Sequence, residues 1–225
     1  MSGQDALRGF LDKWQARWPE WTVGVAFVPE PQREAVAAWL ALRDELADAA
    51  WGGEDARPGE AKLAWWAEEL RGWAKGARRH PLGAALQKQP ADWQALGEAL
   101  PALAASRGAG AVDAAIAAVT PFAVAAGAIS RSLFDASGGA ADAQLEAVSL
   151  LAERLCREAG SEAGADVAAA AAGLLAAWPA SREGARPMRV HRAFVRRRLQ
   201  RLAAGQPPVP GRFASLFAAW GAARG

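Results

Sequence analysis

Residues Arg43 to Trp73 read RDELADAAWGGEDARPGEAKLAWWAEELRGW, and the fold is decided in this stretch. On its N-terminal side Trp39, Leu42, Leu46 and Ala49 recur at i, i+3, i+7 and i+10. On its C-terminal side Leu63, Trp66, Leu70 and Trp73 repeat that spacing. An apolar stripe of 3.6-residue period in each half predicts two amphipathic helices. Gly52-Gly53 and Pro58-Gly59 interrupt the pattern, so the helices are expected to fold back antiparallel. Asp44 and Asp48 stack on one helix face in line with Leu40, turned away from the Leu42/Leu46 stripe. Two readings of this pair follow. It is a solvated acidic face, the ordinary place for helix charges. Or it is a DxxxD pair aimed into a cavity, where two carboxylates share Mg²⁺ with a substrate phosphate.

Working outward, few windows are rich in Val, Ile or Thr, while alanine is abundant and Pro and Gly fall mostly at segment ends. That composition argues for an all-α fold in one unit spanning residues 1–225. Eleven Trp with no Tyr supply bulk to an alanine-rich core and remove every phenol as a general acid. With 26 basic against 24 acidic residues, the whole-molecule field does not favour a polyanion. Cys156 stands alone, so no intrachain disulfide can form, as suits a reducing, cytoplasmic setting. The opening MSGQDALRGFLDKW lacks the apolar core of a signal peptide. The nearest approach to a membrane span, Gly108 to Ile129, holds Asp113 and Pro121 and reads as a buried central helix.

Start and stop signals predict nine or ten helices. The first covers residues 4–18 and ends at Pro19. The helix bearing Asp44 opens at Pro29-Glu30-Pro31. A short helix covers Pro81 to Gln87, and another runs from Ala91 to Ala105 with a kink at Pro101. Long helices follow over 111–134, Asp142 to Glu158 and Val167 to Trp178, the last capped by Asp166. A basic helix from Pro187 to Leu202 and a short one from Phe213 to Trp220 close the chain.

DELAD, then GE-x-K-L-x-W-W-x-E-E-L, then Arg79-His80-Pro81-Leu82 resembles the squalene/phytoene synthase family over roughly the first hundred residues. The resemblance implies an isoprenoid synthase-like helical fold that joins two prenyl diphosphates head to head. It puts Asp44 and Asp48 at the family's first acidic motif, as the candidate Mg²⁺–diphosphate pair. Ionising an allylic diphosphate requires metal ions to neutralise the leaving group, and the family holds them with acidic motifs on two opposite walls.

The second motif takes a form like L-L-R-D-x-x-x-D-x-x-R-G. Leu174-Leu175 match its lead, but its acidic positions fall on Ala177 and Ser181, and the trailing Arg-Gly on Gly184-Ala185. Alanine cannot bind a metal. A rival placement uses Arg157-Glu158 and Glu162, with Asp166 continuing the spacing. Gly173 to Pro179 is similar to the GLL-x-A-x-P form of a branch related to mitochondrial complex I assembly factors. The implication is a pseudoenzyme: a non-catalytic or weakly catalytic isoprenoid-binding or protein-interaction module, with no cofactor or only weakly bound Mg²⁺. The alternatives are an active Mg²⁺-dependent transferase and a plain helical scaffold. The helix Val167–Trp178 is then expected across from Asp44.

His80 and His191 have no Cys or acid at ligand spacing, and no nucleotide-binding glycine pattern occurs. Arg186, Arg189, Arg192, Arg196, Arg197, Arg198 and Arg201 form a basic cluster on a helix whose other side is Val190, Phe194, Leu199 and Leu202. It reads as a solvated face. The functional alternative is peripheral contact of the Arg189–Arg201 helix with the inner face of a membrane. An isoprenoid diphosphate or lipid is the expected small partner. Nucleic acid is not expected, because the charge is confined to one helix.

Overall fold

The computed structural model describes residues 3–136, 140–159, 164–181 and 183–224. In chain order the helices are α1 (Gly3–Arg17), α2 (Trp21–Gly24), α3 (Arg33–Trp51), α4 (Arg57–Ala74), α5 (Gly83–Leu86) and α6 (Trp93–Glu98). They continue with α7 (Leu100–Ala105), α8 (Val112–Phe134), α9 (Ala140–Glu158), α10 (Ala165–Ala176), α11 (Arg186–Ala203) and α12 (Arg212–Ala223). The described residues contain no strand, so the all-α expectation holds. Where the sequence reading has one kinked helix at Pro101, the structure has two, α6 and α7, and Pro101 sits in the first turn of the second. Its missing N–H costs nothing there, which is why the chain restarts rather than bends.

α3 and α4 pair as expected. Ala49 near the end of α3 lies against Gly59 at the start of α4, so closely that a β-carbon on Gly59 would collide with the Ala49 carbonyl oxygen. At the other end Trp39 and Trp73 both reach Trp93 of α6, with ring centroids 6.2 and 5.3 Å away. Trp39, Trp66 and Trp73 are essentially inaccessible. The carbonyls left open at the end of α3 are met by Arg107, whose Nη1 donates to Ala50 and Gly52 oxygens at 3.2 and 3.1 Å.

The central helix is α3, not α8. Almost every side chain from Ala38 to Ala50 is buried, because α1, α4, α5 and α7 surround it. α8 packs on α6, α7 and α9 through Val119, Phe122, Ala126 and Ile129, and leaves Val124 exposed. Among the described residues it is the one helix long and apolar enough to cross a membrane. Pro121 lies within it, on the outer side, and the helix runs on past it. The apolar side chains of these helices join in one cluster.

Glu69, in the E-E-L of α4, fixes the chain that follows. It is buried, and it accepts hydrogen bonds from the backbone N–H of Arg79 and His80, from Trp73 Nε1 and from Arg79 Nε, at 2.7 to 2.9 Å. Burial pushes its carboxyl up, but these donors together hold it down at about 2. The Arg79-His80-Pro81 turn is thereby clamped to α4. The His80 ring packs on Phe10 and Trp66, both at 4.5 Å, and burial lowers its pKa to about 4.

Candidate functional site: a buried layer of ion pairs

Asp44 points inward from α3, nearly buried. Its Oδ2 accepts from Arg17 Nη1 of α1 at 2.6 Å, and its Oδ1 accepts from Arg157 Nη2 of α9 at 2.9 Å. Asp48, one turn on, stays partly exposed and stands 3.7 Å from Arg157 and 3.9 Å from Lys62. Between them Glu45 is buried against Lys13 and Lys62 at 2.7 and 3.0 Å. Burial raises its pKa, and the two lysines overcome that and lower it. Asp44 is therefore no solvated acid.

The same layer continues behind Asp44. Arg43 is enclosed, with Nη2 at 2.7 Å from Glu146 and 3.1 Å from Glu153 of α9. Arg192 of α11 meets Asp142 and Glu146 at 2.8 and 2.7 Å, and Arg131 of α8 meets Asp142 at 3.0 Å. Gly184 allows this approach: its φ is +97°, and a β-carbon there would lie 2.8 Å from Arg192 and 3.0 Å from Asp142. Arg198 grips Glu20 through Nε and Nη2 at 2.6 and 2.7 Å and lies 4.0 Å over the Trp18 ring.

His191 closes the network. Trp21 Nε1 donates to its Nδ1 at 3.2 Å. An indole N–H can only donate, so Nδ1 carries no proton and Nε2 presents its own to Glu153 Oε1, 3.3 Å away. Burial raises the Glu153 pKa, yet Arg43 and then His191 hold it well below the usual carboxylate range. Cys156, one turn from Glu153, is pushed up to about 12 by burial and is no nucleophile.

The wall across from Asp44 is α9, which corrects the expectation of the Val167–Trp178 helix. Here α10 packs on α9 and α11 instead. The reason is charge: Ala168 to Ala172 are all alanine and could offer nothing to a buried carboxylate, whereas α9 offers Arg157. Ala177 ends α10, and Ser181 lies beyond it, where its Oγ accepts from the Glu183 N–H at 3.1 Å. Both are half-buried, Ser181 on a separate groove toward α11 and α12. Glu158 turns outward and accepts from Arg154 Nε at 2.8 Å. Glu162 lies outside the described residues. Asp166 is in the first turn of α10, two positions past Gly164, which takes the cap position expected for Asp166.

The buried acids of α9, namely Asp142, Glu146 and Glu153, were missed by the sequence reading as members of the layer. They recur at i, i+4 and i+11, on one helix face. The apolar stripe of Leu145, Val148 and Leu155 drew the reading to the other side, yet α9 is buried on both. Arg43, His191 and Arg192 on otherwise apolar helix faces were the available signal, since a buried cation demands a carboxylate.

The donor set does not fit a Mg²⁺–diphosphate cluster. Both Asp44 oxygens are engaged by guanidinium groups, and the described residues bring no three Asp, Glu, His or Cys side chains together as a metal would need.

The profile of the squalene/phytoene synthase family matches residues 20–111, from the Glu20 that holds Arg198 through α3 and α4 to the end of α7 and the turn beyond it. Over these residues the chain is similar to the squalene/phytoene synthase family. No curated protein and no solved structure matches it. The squalene/phytoene synthase match thus covers the DELAD helix, the WW helix and the clamped Arg79-His80-Pro81 turn. The α9 wall lies beyond it.

Proposed function

We propose that this is a squalene/phytoene synthase-like protein that does not transfer prenyl groups and acts through contacts with other molecules. The observation that carries the reading is the saturation of Asp44 by Arg17 and Arg157. A diphosphate leaving group needs metal cations at this wall. Here protein cations neutralise the acids permanently, and the guanidinium groups occupy the ground the metal would take. The paired layer acts as an internal scaffold in a helical frame inherited from the family. The form of Gly173 to Pro179, similar to the assembly-factor branch, supports a protein-interaction role.

The test is direct. Purified protein is incubated with farnesyl or geranylgeranyl diphosphate and Mg²⁺, and released diphosphate is measured. The expected result is no release above the protein-free rate. Turnover that Asp44→Asn abolishes would overturn the proposal in favour of an active head-to-head transferase. Calorimetry with a non-hydrolysable prenyl diphosphate analogue adds a second arm: metal-independent binding fits a non-catalytic isoprenoid carrier, and tight Mg²⁺-dependent binding does not.

A further inference from the structure

α12 carries an apolar stripe that, among the described residues, nothing covers. Phe213, Leu216, Phe217 and Trp220 of α12 are spaced i, i+3, i+4 and i+7, and their exposures are 80, 39, 68 and 47%. The opposite face, Ser215 and Ala219, is buried. Small residues therefore turn inward and aromatic ones outward, the reverse of the ordinary arrangement for a surface helix. Three projecting aromatics in two turns are not the scattered single apolar residues of a normal surface.

Charge says what covers the stripe. From Gly184 to Gly225 the sequence holds nine arginines and no carboxylate. Arg192 and Arg198 are spent inside the ion-pair layer. Arg196 and Arg197 remain exposed on α11, and they share with Phe217 the lining of a cavity of about 590 Å³ along the α11–α12 seam. Arg212 opens α12, and Arg224 lies 4.0 Å over the Trp220 ring at its other end. α12 packs on α11, on α2 and on the 3₁₀ turn Val25–Phe27. The carboxylate beside α2, Glu20, is buried against Arg198. Among the described residues lining the grooves along this seam, the acid is Glu183, at the far end by Arg189. Burial first, then Arg186 and Arg192, depress the Arg189 pKa.

We propose that α12, with the exposed arginines of α11, docks on an anionic phospholipid surface. Phe213, Phe217 and Trp220 would enter the boundary between headgroups and acyl chains, while Arg196, Arg197, Arg212 and Arg224 meet lipid phosphates. A second copy of the chain is disfavoured as the occupant, because two such faces would bring like charges together. The element differs from the arginine helix that sequence alone singles out: α11 contributes two cations, and α12 contributes the insertion. The proposal does not depend on whether prenyl transfer occurs.

The full chain is sedimented with vesicles of phosphatidylcholine alone and of phosphatidylcholine mixed with phosphatidylglycerol. Binding is expected to the mixed vesicles and to weaken with added salt. Phe213→Ser/Phe217→Ser is expected to abolish it, and Arg196→Glu/Arg197→Glu to weaken it by about tenfold or more. These side chains are exposed, so circular dichroism should show both variants folded. Equal binding to both vesicle types, or binding unchanged in the serine variant, overturns the proposal. So does a concentration-dependent dimer of the wild type that the serine variant loses, since the stripe would then be a protein interface. Absence of binding to either vesicle also overturns it.

Discussion

Arg157 of α9 reaches Asp44 of α3 at 2.9 Å, joining two helices 113 residues apart in sequence by a side chain the family resemblance does not cover. The contact changes the sign of an effect. Two carboxylates one helical turn apart would ordinarily repel, so neutralising both would relieve strain. In the structure Asp44 is wanted by two arginines.

Asp44→Asn should therefore destabilise, by about 1–3 kcal/mol, because Arg17 and Arg157 keep their burial and lose their counter-charge. Asp48→Asn, with only longer contacts and a partly exposed carboxylate, should change stability by less than about 0.5 kcal/mol. Urea unfolding of each variant checks the pair. Equal effects would mean that the two acids share one environment after all.

Trp66→Ala should cost about 3–5 kcal/mol, since the indole is enclosed and packs edge-on to Trp73 at 6.4 Å. Trp65→Ala, half-buried beside it, should cost clearly less. Thermal melts of the two variants compare them. A cost for Trp66 within error would place the wrong indole in the core.

The α3–α4 hairpin was legible because its tryptophans keep helical spacing and its glycines stand at the turn. The same logic failed for α9. Periodicity finds the apolar face of a helix, and Leu145, Val148 and Leu155 supply one. It has no means of marking Asp142, Glu146 and Glu153 as buried on the other face, since their burial depends on cations brought in from α3, α8 and α11. The alanine-rich stretch Val112 to Phe134 misled in the opposite way: apolarity suggested the centre, while α3 with its charges took it. Leu174-Leu175 matched a motif in sequence but sit on a helix with no cation to give. The α12 stripe lay in plain view in the sequence. Its exposure, however, follows from Ser215 and Ala219 being the buried face, which only the fold decides.

Acid should unfold the protein in two steps. The folded chain holds His80 at about 4 against an ordinary 6.5, so between those values the unfolded chain binds the extra proton and stability falls as pH drops. Glu69, at about 2 against 4.5, keeps its contribution above about 4.5 and loses it as pH falls toward 2. Glu69→Gln should shrink the lower step, which Glu153 shares, and His80→Phe should remove the upper one. Stability measured by urea at a series of pH values resolves the two windows. A lower step of undiminished size in Glu69→Gln would assign it to other carboxylates.

The most demanding prediction concerns Arg43. Its guanidinium is enclosed between Glu146 and Glu153, while Arg192 also serves Glu146 and His191 also serves Glu153. Arg43→Met keeps the volume of the stem and removes the charge. Two buried carboxylates then share too few cations, so the loss should reach about 3–5 kcal/mol. Neutralising an acid at the same time should recover much of that. In Arg43→Met/Glu153→Gln, the glutamine amide can turn to His191, and Arg192 alone suffices for Glu146. The coupling in a double-mutant cycle should be at least about 1.5 kcal/mol and favourable, far above that of an exposed pair. Additive losses in the cycle would mean that Arg43 stabilises by packing alone, and that the acids of α9 have another partner.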